Sequence, residues 1–174
     1  MLFQGQYRFL GTHADKAKKL TSEFDTNKHK LFSNGYEVFQ LAPIVGFLYK
    51  RKANQNRDIP GDYSIFDEQM SRYNDIFQFH YHLIILLDEE HEPNFEIRVD
   101  KAFKFYGTDR AAPDEELYEQ YLRGGVDVLY EKLIEPSTSA DDYTKNLYEF
   151  MKDFEFRYGQ NTDEILDLCQ IARS

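Results

Sequence analysis

The chain of 174 residues has no tryptophan and a single cysteine, Cys169. One thiol excludes an intrachain disulfide framework and a cysteine-rich zinc site. Away from any Cys/His cluster, Cys169 reads as a small buried hydrophobe, and the composition suits a reducing, cytoplasmic setting. No window holds the roughly 18 apolar residues that a bilayer span needs, so no membrane contact is expected. The start of the chain lacks a basic stretch followed by an apolar one, so no signal peptide is expected. Leu2-Phe3-Gln4-Gly5 resembles a protease-tag remnant, and residues 1–6 are expected to be a flexible end.

Strand signals are also scarce. Val/Ile/Thr alternation is thin, and no Asn-Gly or Asp-Gly turn joins two alternating runs. Nucleotide motifs are missing: there is no GxxxxGK[ST] and no GxGxxG. No GxSxG elbow and no HExxH pair appears, so neither a serine hydrolase nor a zincin is indicated.

What the chain does have is apolar residues at helical spacing. They make up 41% of the sequence, and aromatics 16%, enough to fold despite the charge. At this length one domain, residues 1–174, is expected, with a self-sufficient core. The periodicity predicts an all-α fold: a single compact helical bundle of six to eight helices.

A first helix is expected from Thr12 to Phe24, capped by Thr12. A second, Gly35–Ala53, is apolar around most of its circumference and belongs at the centre of the bundle. Pro43 is expected to kink it or to open its first true turn, and Gly46 to permit close approach of another helix. Pro60-Gly61 marks a turn. Ser64 is expected to cap a helix running as far as Glu89, and Asn94 to open a shorter one ending near Phe105. A helix opening at Asp114-Glu115-Glu116 carries Tyr118, Leu122, Gly125, Leu129 and Leu133 on one face, and Gly125 there predicts contact with a neighbouring helix. The cleanest stripe is Tyr143, Leu147, Phe150, Met151, Phe154 and Tyr158, closed by Gly159. Asn161 then caps a last helix carrying Ile165, Leu168, Cys169 and Ala172.

Charge is split along the sequence. Residues 1–60 hold 10 Lys+Arg and 5 Asp+Glu; residues 61–174 hold 11 and 26. The first part nets +5 and the second −15, which predicts opposite poles that dock onto a partner. The basic knot after the apolar helix, Lys50, Arg51 and Lys52 with Arg57 beyond, is the candidate contact for a partner or for DNA. Lys16, Lys18, Lys19, Lys28 and Lys30 could extend it. Affinity for DNA would come from neutralised phosphates, against the repulsion of an acidic body.

His80 and His82 are the histidine pair nearest to metal-ligand spacing, with Asp88, Glu89 and His91 downstream. At i and i+2 on a helix they face different ways, so no metal is assigned. The paired acids Asp67-Glu68, Asp88-Glu89-Glu90, Asp114-Glu115-Glu116 and Asp141-Asp142 fall at helix ends and turns, where solvated acids stabilise the terminus. No catalytic residue and no cofactor is assigned.

Residues 32–52 resemble small helical accessory proteins encoded beside DNA phosphorothioation (Dnd) and related bacterial phage-defence genes. The shared run is Tyr-x-Val-Phe-x-x-Ala, then Gly-Phe and basic residues: here Tyr36, Val38, Phe39, Ala42, Gly46, Phe47, Lys50, Arg51 and Lys52. The resemblance implies an accessory subunit without activity of its own, and it covers about twenty residues. The expected function is a non-enzymatic adaptor in a larger complex, with an ATPase, a nuclease or a second copy as partner. The alternatives are a nucleic-acid-binding protein using Lys50–Arg57, and a metal-dependent nuclease or hydrolase with an unrecognised site.

Overall fold

A computed structural model describes residues 5–56 and 59–159. The described residues are 64% helical, with seven α-helices among them. The order is β1 (Tyr7–Leu10), α1 (Gly11–Leu20), α2 (Gly35–Leu48), β2 (Asp62–Ile65), α3 (Asp67–Arg72), α4 (Asn74–Leu87) and α5 (Phe95–Val99). A π-helical turn (Asp100–Lys104) and a 3-10 turn (Asp109–Ala111) lead into α6 (Ala112–Leu133) and α7 (Ala140–Tyr158). The mainly helical fold expected from periodicity is what forms. The expected helix after Asn161, and Cys169 with it, lies outside the described residues.

The centre is a crossing of α2 and α6. Glycines allow it. A Cβ at Gly125 would stand 1.7 Å from the Ala42 carbonyl oxygen, and one at Gly46 would stand 2.0 Å from that of Tyr121. The two backbones therefore touch where side chains would normally hold helices apart. The expectations for Gly46 and Gly125 meet in this one seam. Pro43 does not break α2, which runs through it with the proline ring buried.

The helix most deeply enclosed is α6, not α2. Its residues Tyr121 to Leu129 are buried without interruption, whereas α2 leaves Leu41 exposed and Phe47 half-exposed. The sequence under-reads α6 because two of those buried residues are charged. Arg123 donates to the Ala53 carbonyl at 2.9 Å and to Glu119 at 2.8 Å. Asp127 accepts from Lys16 at 2.7 Å, with His13 Nε2 at 3.3 Å, which ties α1 onto α6.

Several boundaries differ from expectation. The helix expected from Ser64 starts later, because Asp62–Ile65 pairs antiparallel with Tyr7–Leu10, Phe9 opposite Tyr63. Fifty-one residues lie between the strands, so no hairpin signal could announce them. Phe9 and Ile65, at 1% exposure each, are what the small sheet buries. The chain end is thus anchored from Tyr7 onward. The first helix starts at Gly11 and stops at Leu20, four residues short of Phe24, which instead stacks on Tyr143 of α7 at 4.9 Å.

The second helix stops at Leu48, five residues before Ala53. The chain leaves it through a reversed turn in which Lys50 takes φ +52°. There the Arg51 N–H bonds back to the Gly46 carbonyl at 2.8 Å, and the Lys50 N–H to that of Phe47 at 3.0 Å. This is the Schellman arrangement, with lysine in the left-handed position that glycine usually fills. Segment 51–53 then crosses α6. The Arg51 carbonyl lies against Gly124, where a Cβ would be 2.0 Å away, and the Ala53 N–H bonds to the Gln120 carbonyl at 3.0 Å.

Candidate interaction surface

The basic knot is held by the chain's own acids. Lys50 pairs with Glu90, Arg51 with Glu131 at 3.0 Å, and Lys52 reaches Asp88 at 3.9 Å while lying 4.8 Å over the Tyr121 ring. Every one of these acids belongs to the acidic part of the sequence, as does Asp127, which holds Lys16. The split read along the sequence is therefore partly closed on itself in space rather than presented as two poles. Lys18, Lys28 and Lys30 are exposed, and Lys19 bonds the Tyr130 hydroxyl at 3.2 Å. Arg57 lies outside the described residues.

Beside this knot, Phe47, Leu48, Leu87, Tyr121 and Tyr158 help to line a pocket of about 370 Å³. Its polar groups are engaged with one another. Tyr121 donates to Asp88 at 2.7 Å, and the His91 N–H donates to the same carboxylate at 3.1 Å. Asp88 is 4% exposed, so it is not the solvated helix-end acid expected from its position. It closes the end of α4 and anchors α6. Asp114 departs from expectation in the same way. It is buried, and burial raises its carboxyl above the usual range, with Lys101 at 3.7 Å opposing that. Burial likewise raises Glu119, with Arg123 countering it.

His80 and His82 do not converge. Burial lowers the pKa of both rings; for His80, a hydrogen bond donated by the ring to the Gln40 backbone carbonyl of α2 partly offsets it. The His82 ring sits edge-on to Tyr106 at 4.8 Å and near Phe103 at 5.0 Å. Among the described residues no cluster of three or more His, Cys, Asp or Glu gathers around a point that could take a metal. No helix among them is long and apolar enough to cross a membrane.

The open surface is around α7. Ser139 and Asp142 start this helix with reciprocal capping bonds, and the Thr138 backbone N–H leads the contacts that pull the Asp142 carboxyl down to about 2. The helix is fixed at both ends. Near its start Tyr143 stacks on Phe24, and Asn146 bonds Ser137 at 2.9 Å. Near its end Asp153 accepts from the Tyr49 hydroxyl at 3.0 Å, and the Tyr158 hydroxyl donates to the Leu48 carbonyl at 2.6 Å. Burial first, then Asp153, pushes the Tyr49 phenol up to about 12.

Between those two ends α7 closes only partly on the body, with Leu147 and Phe150 half-buried against the core. None of its residues is fully buried, although its apolar stripe is the cleanest in the sequence. A groove of about 380 Å³ runs beneath it. Leu41 and Val45 of α2 form one part of it and Leu129 and Leu133 of α6 the floor. The α7 side is Leu147, Phe150, Met151 and Phe154, and Glu155 is the one charged side chain in the lining among the described residues. Met151 is 61% exposed and Leu41 37%. The helix that the stripe predicts is present, but periodicity cannot say whether a stripe is covered.

Compared with family models, with curated proteins and with solved structures, the chain has no match.

Proposed function

We propose that the protein is a non-enzymatic adaptor subunit that takes an apolar helical segment of a larger partner into the groove between α2, α6 and α7. The observation that carries this reading is the groove itself: three helices converge on it, its lining is apolar apart from Glu155, and it is open to solvent. An amphipathic helix laid in a groove is a recurrent way to recognise a protein segment. Exposed apolar side chains at such a groove, here Leu41 and Met151, are the kind of surface that marks an interaction site or a ligand groove. The resemblance of residues 32–52 to accessory proteins of phage-defence loci accords with this role and makes an ATPase or a nuclease the first partner class to test.

Nucleic-acid binding through Lys50, Arg51, Lys52 and Arg57 is the second reading. It is weakened by the ion pairs that engage the first three, because a cation already neutralised by a fixed carboxylate has less to gain from a phosphate.

The two readings separate in one experiment. The tagged protein is purified from its own cells as wild type, as Met151→Asp and as Lys50→Gln/Arg51→Gln. A partner lost from Met151→Asp and kept by the double glutamine variant supports the groove. Retention of every partner by Met151→Asp overturns it. A gel shift at low salt that disappears in the double glutamine variant would move the assignment to nucleic acid.

A further inference from the structure

A second open apolar surface lies away from the groove, along α4. This helix buries Phe77, Tyr81, Ile84 and Ile85 against the core. Its other side is apolar too. Ile76, Phe79, Leu83 and Leu86 recur at i, i+3, i+7 and i+10, the spacing of a seam between paired helices, and Leu87 widens the ridge. Phe79 is 62% exposed, Leu87 51% and Ile76 38%. Phe103 of the π-helical turn, 54% exposed, flanks the ridge beside His82, ring to ring at 5.0 Å. A helix apolar all round belongs inside a structure, and α4 is inside on one side only. We propose that a second copy of this chain covers the other, the two α4 helices packing antiparallel about a two-fold axis.

Charge selects the occupant. From Ile76 to Leu87 there is no Asp, Glu, Lys or Arg, in a chain that is 30% charged with a net of −10. The neighbouring helix α2, whose Phe39 ring meets that of Phe77 at 4.8 Å, is likewise without charge from Val38 to Leu48. A basic partner is steered to acidic faces and finds no counter-charge on this one. A like-charged copy meets least repulsion here. Along the helix, the middle of α4 lies about 10 Å from charge at either end, beyond the screening length of about 8 Å at physiological salt. A two-fold axis makes the one patch complementary to itself.

The ends decide the direction. At the N-terminal end Asp67, Glu68 and Asp75 outnumber Arg72, so parallel pairing would bring two acidic ends together. Antiparallel pairing sets that end beside the other, where Lys50 and Arg98 balance Glu90 and Glu89, and it opposes the helix dipoles.

The area suffices. At roughly 200 Å² for a large side chain, the exposed fractions of Ile76, Phe79, Leu87 and Phe103 leave about 400 Å² open per copy. Two copies bring about 800 Å² of apolar surface, and since homodimer interfaces are about 65% apolar, the whole contact comes to about 1,200 Å². That is the lower edge of what stable complexes bury.

Sedimentation equilibrium of the full chain at micromolar concentration should show a dimer. Phe79→Asp should raise its dissociation constant at least about thirtyfold, as loss of a central aromatic anchor does. Because Phe79 is mostly exposed, the variant should keep the wild-type circular dichroism. Direction is read from Ile76→Cys/Leu87→Cys with Cys169→Ser. Eleven residues of helix hold the two positions about 16 Å apart within one chain, too far for an intrachain disulfide. Under oxidised glutathione, which accepts the two electrons and two protons released by each thiol pair, peptide mass should find position 76 of one copy joined to position 87 of the other.

A chain that stays monomeric overturns the proposal, as does a dimer that Phe79→Asp leaves intact. A dimer lost from Met151→Asp and kept by Phe79→Asp also overturns it, since the copies would then meet at the groove. Disulfides joining 76 to 76 and 87 to 87 overturn the antiparallel arrangement.

Discussion

Gly125→Ala tests the seam on which the whole fold depends. In an ordinary helix interior this change is favourable by about 1 kcal/mol, because alanine loses less conformational freedom than glycine. Here the new Cβ would lie 1.7 Å from the Ala42 carbonyl oxygen, whereas ordinary contact begins near 3.4 Å. Half the required distance is missing, and the obstacle is backbone, so no rotamer change can supply it. The helices must separate, and the neighbouring contact of Gly46 with the Tyr121 carbonyl opens with them. Overpacking of a core costs about 1–3 kcal/mol where side chains can yield, and a rigid obstacle belongs at the top of that range. After subtracting the propensity gain, the net loss should be about 2 kcal/mol. For a chain of this size that lowers Tm by roughly 4–8 °C. Urea unfolding followed by circular dichroism gives the free energy directly. Ala42→Gly in the same chain should not rescue it, since the carbonyl remains. An unchanged or higher Tm for Gly125→Ala, or full rescue by Ala42→Gly, would refute a backbone-to-backbone crossing.

Other substitutions have expected outcomes of their own. Lys50→Gly should raise Tm by about 1–3 °C despite removing the Glu90 ion pair, because φ +52° is free of strain only for glycine and exposed pairs contribute little; thermal melts at high and low salt check both parts. Lys52→Glu places a carboxylate beside buried Asp88 and removes the cation over Tyr121, so it should cost about 1–3 kcal/mol in denaturant titration. The Asp142 carboxyl is held at about 2, below its ordinary 3.8, so its contribution is complete above about pH 4 and is lost as pH falls toward 2. Hydrogen-exchange protection in the first turn of α7, taken relative to the intrinsic rate at each pH, should fall over that window, and Asp142→Asn should flatten the change. Exchange that shows the same pH dependence in both proteins would remove Asp142 as the cause.

Helix periodicity revealed most of the elements, because their apolar residues recur at helical spacing. Tyr118, Leu122, Gly125, Leu129 and Leu133 share a face and are all buried, as their spacing predicts. Periodicity is silent about long-range pairing. Nothing local in Tyr7–Leu10 points to Asp62–Ile65, and nothing in Lys50–Lys52 points to Glu90, Glu131 or Asp88. The same limit applies to buried charge. Arg123 and Asp127 read as the wet side of α6 until α1 and segment 51–53 are laid across it. The stripe on α7 was legible, but not the groove, because a groove is defined by what fails to cover it.

The α2–α6 crossing also sets an order of events during synthesis. By the time Leu48 is made, α2 is complete, yet its partner ends only at Leu133. At about 5–20 residues per second, those 85 residues take roughly 4–17 s to translate. Throughout that interval Val38, Phe39, Ala42 and Val45, all fully enclosed in the finished protein, have no α6 to lie against. Strand β1 likewise waits for β2. The nascent chain thus carries its most apolar helix unpaired for seconds. Its yield in the cell should depend on translation speed and on chaperones that shelter short apolar helices, more than its final stability would suggest.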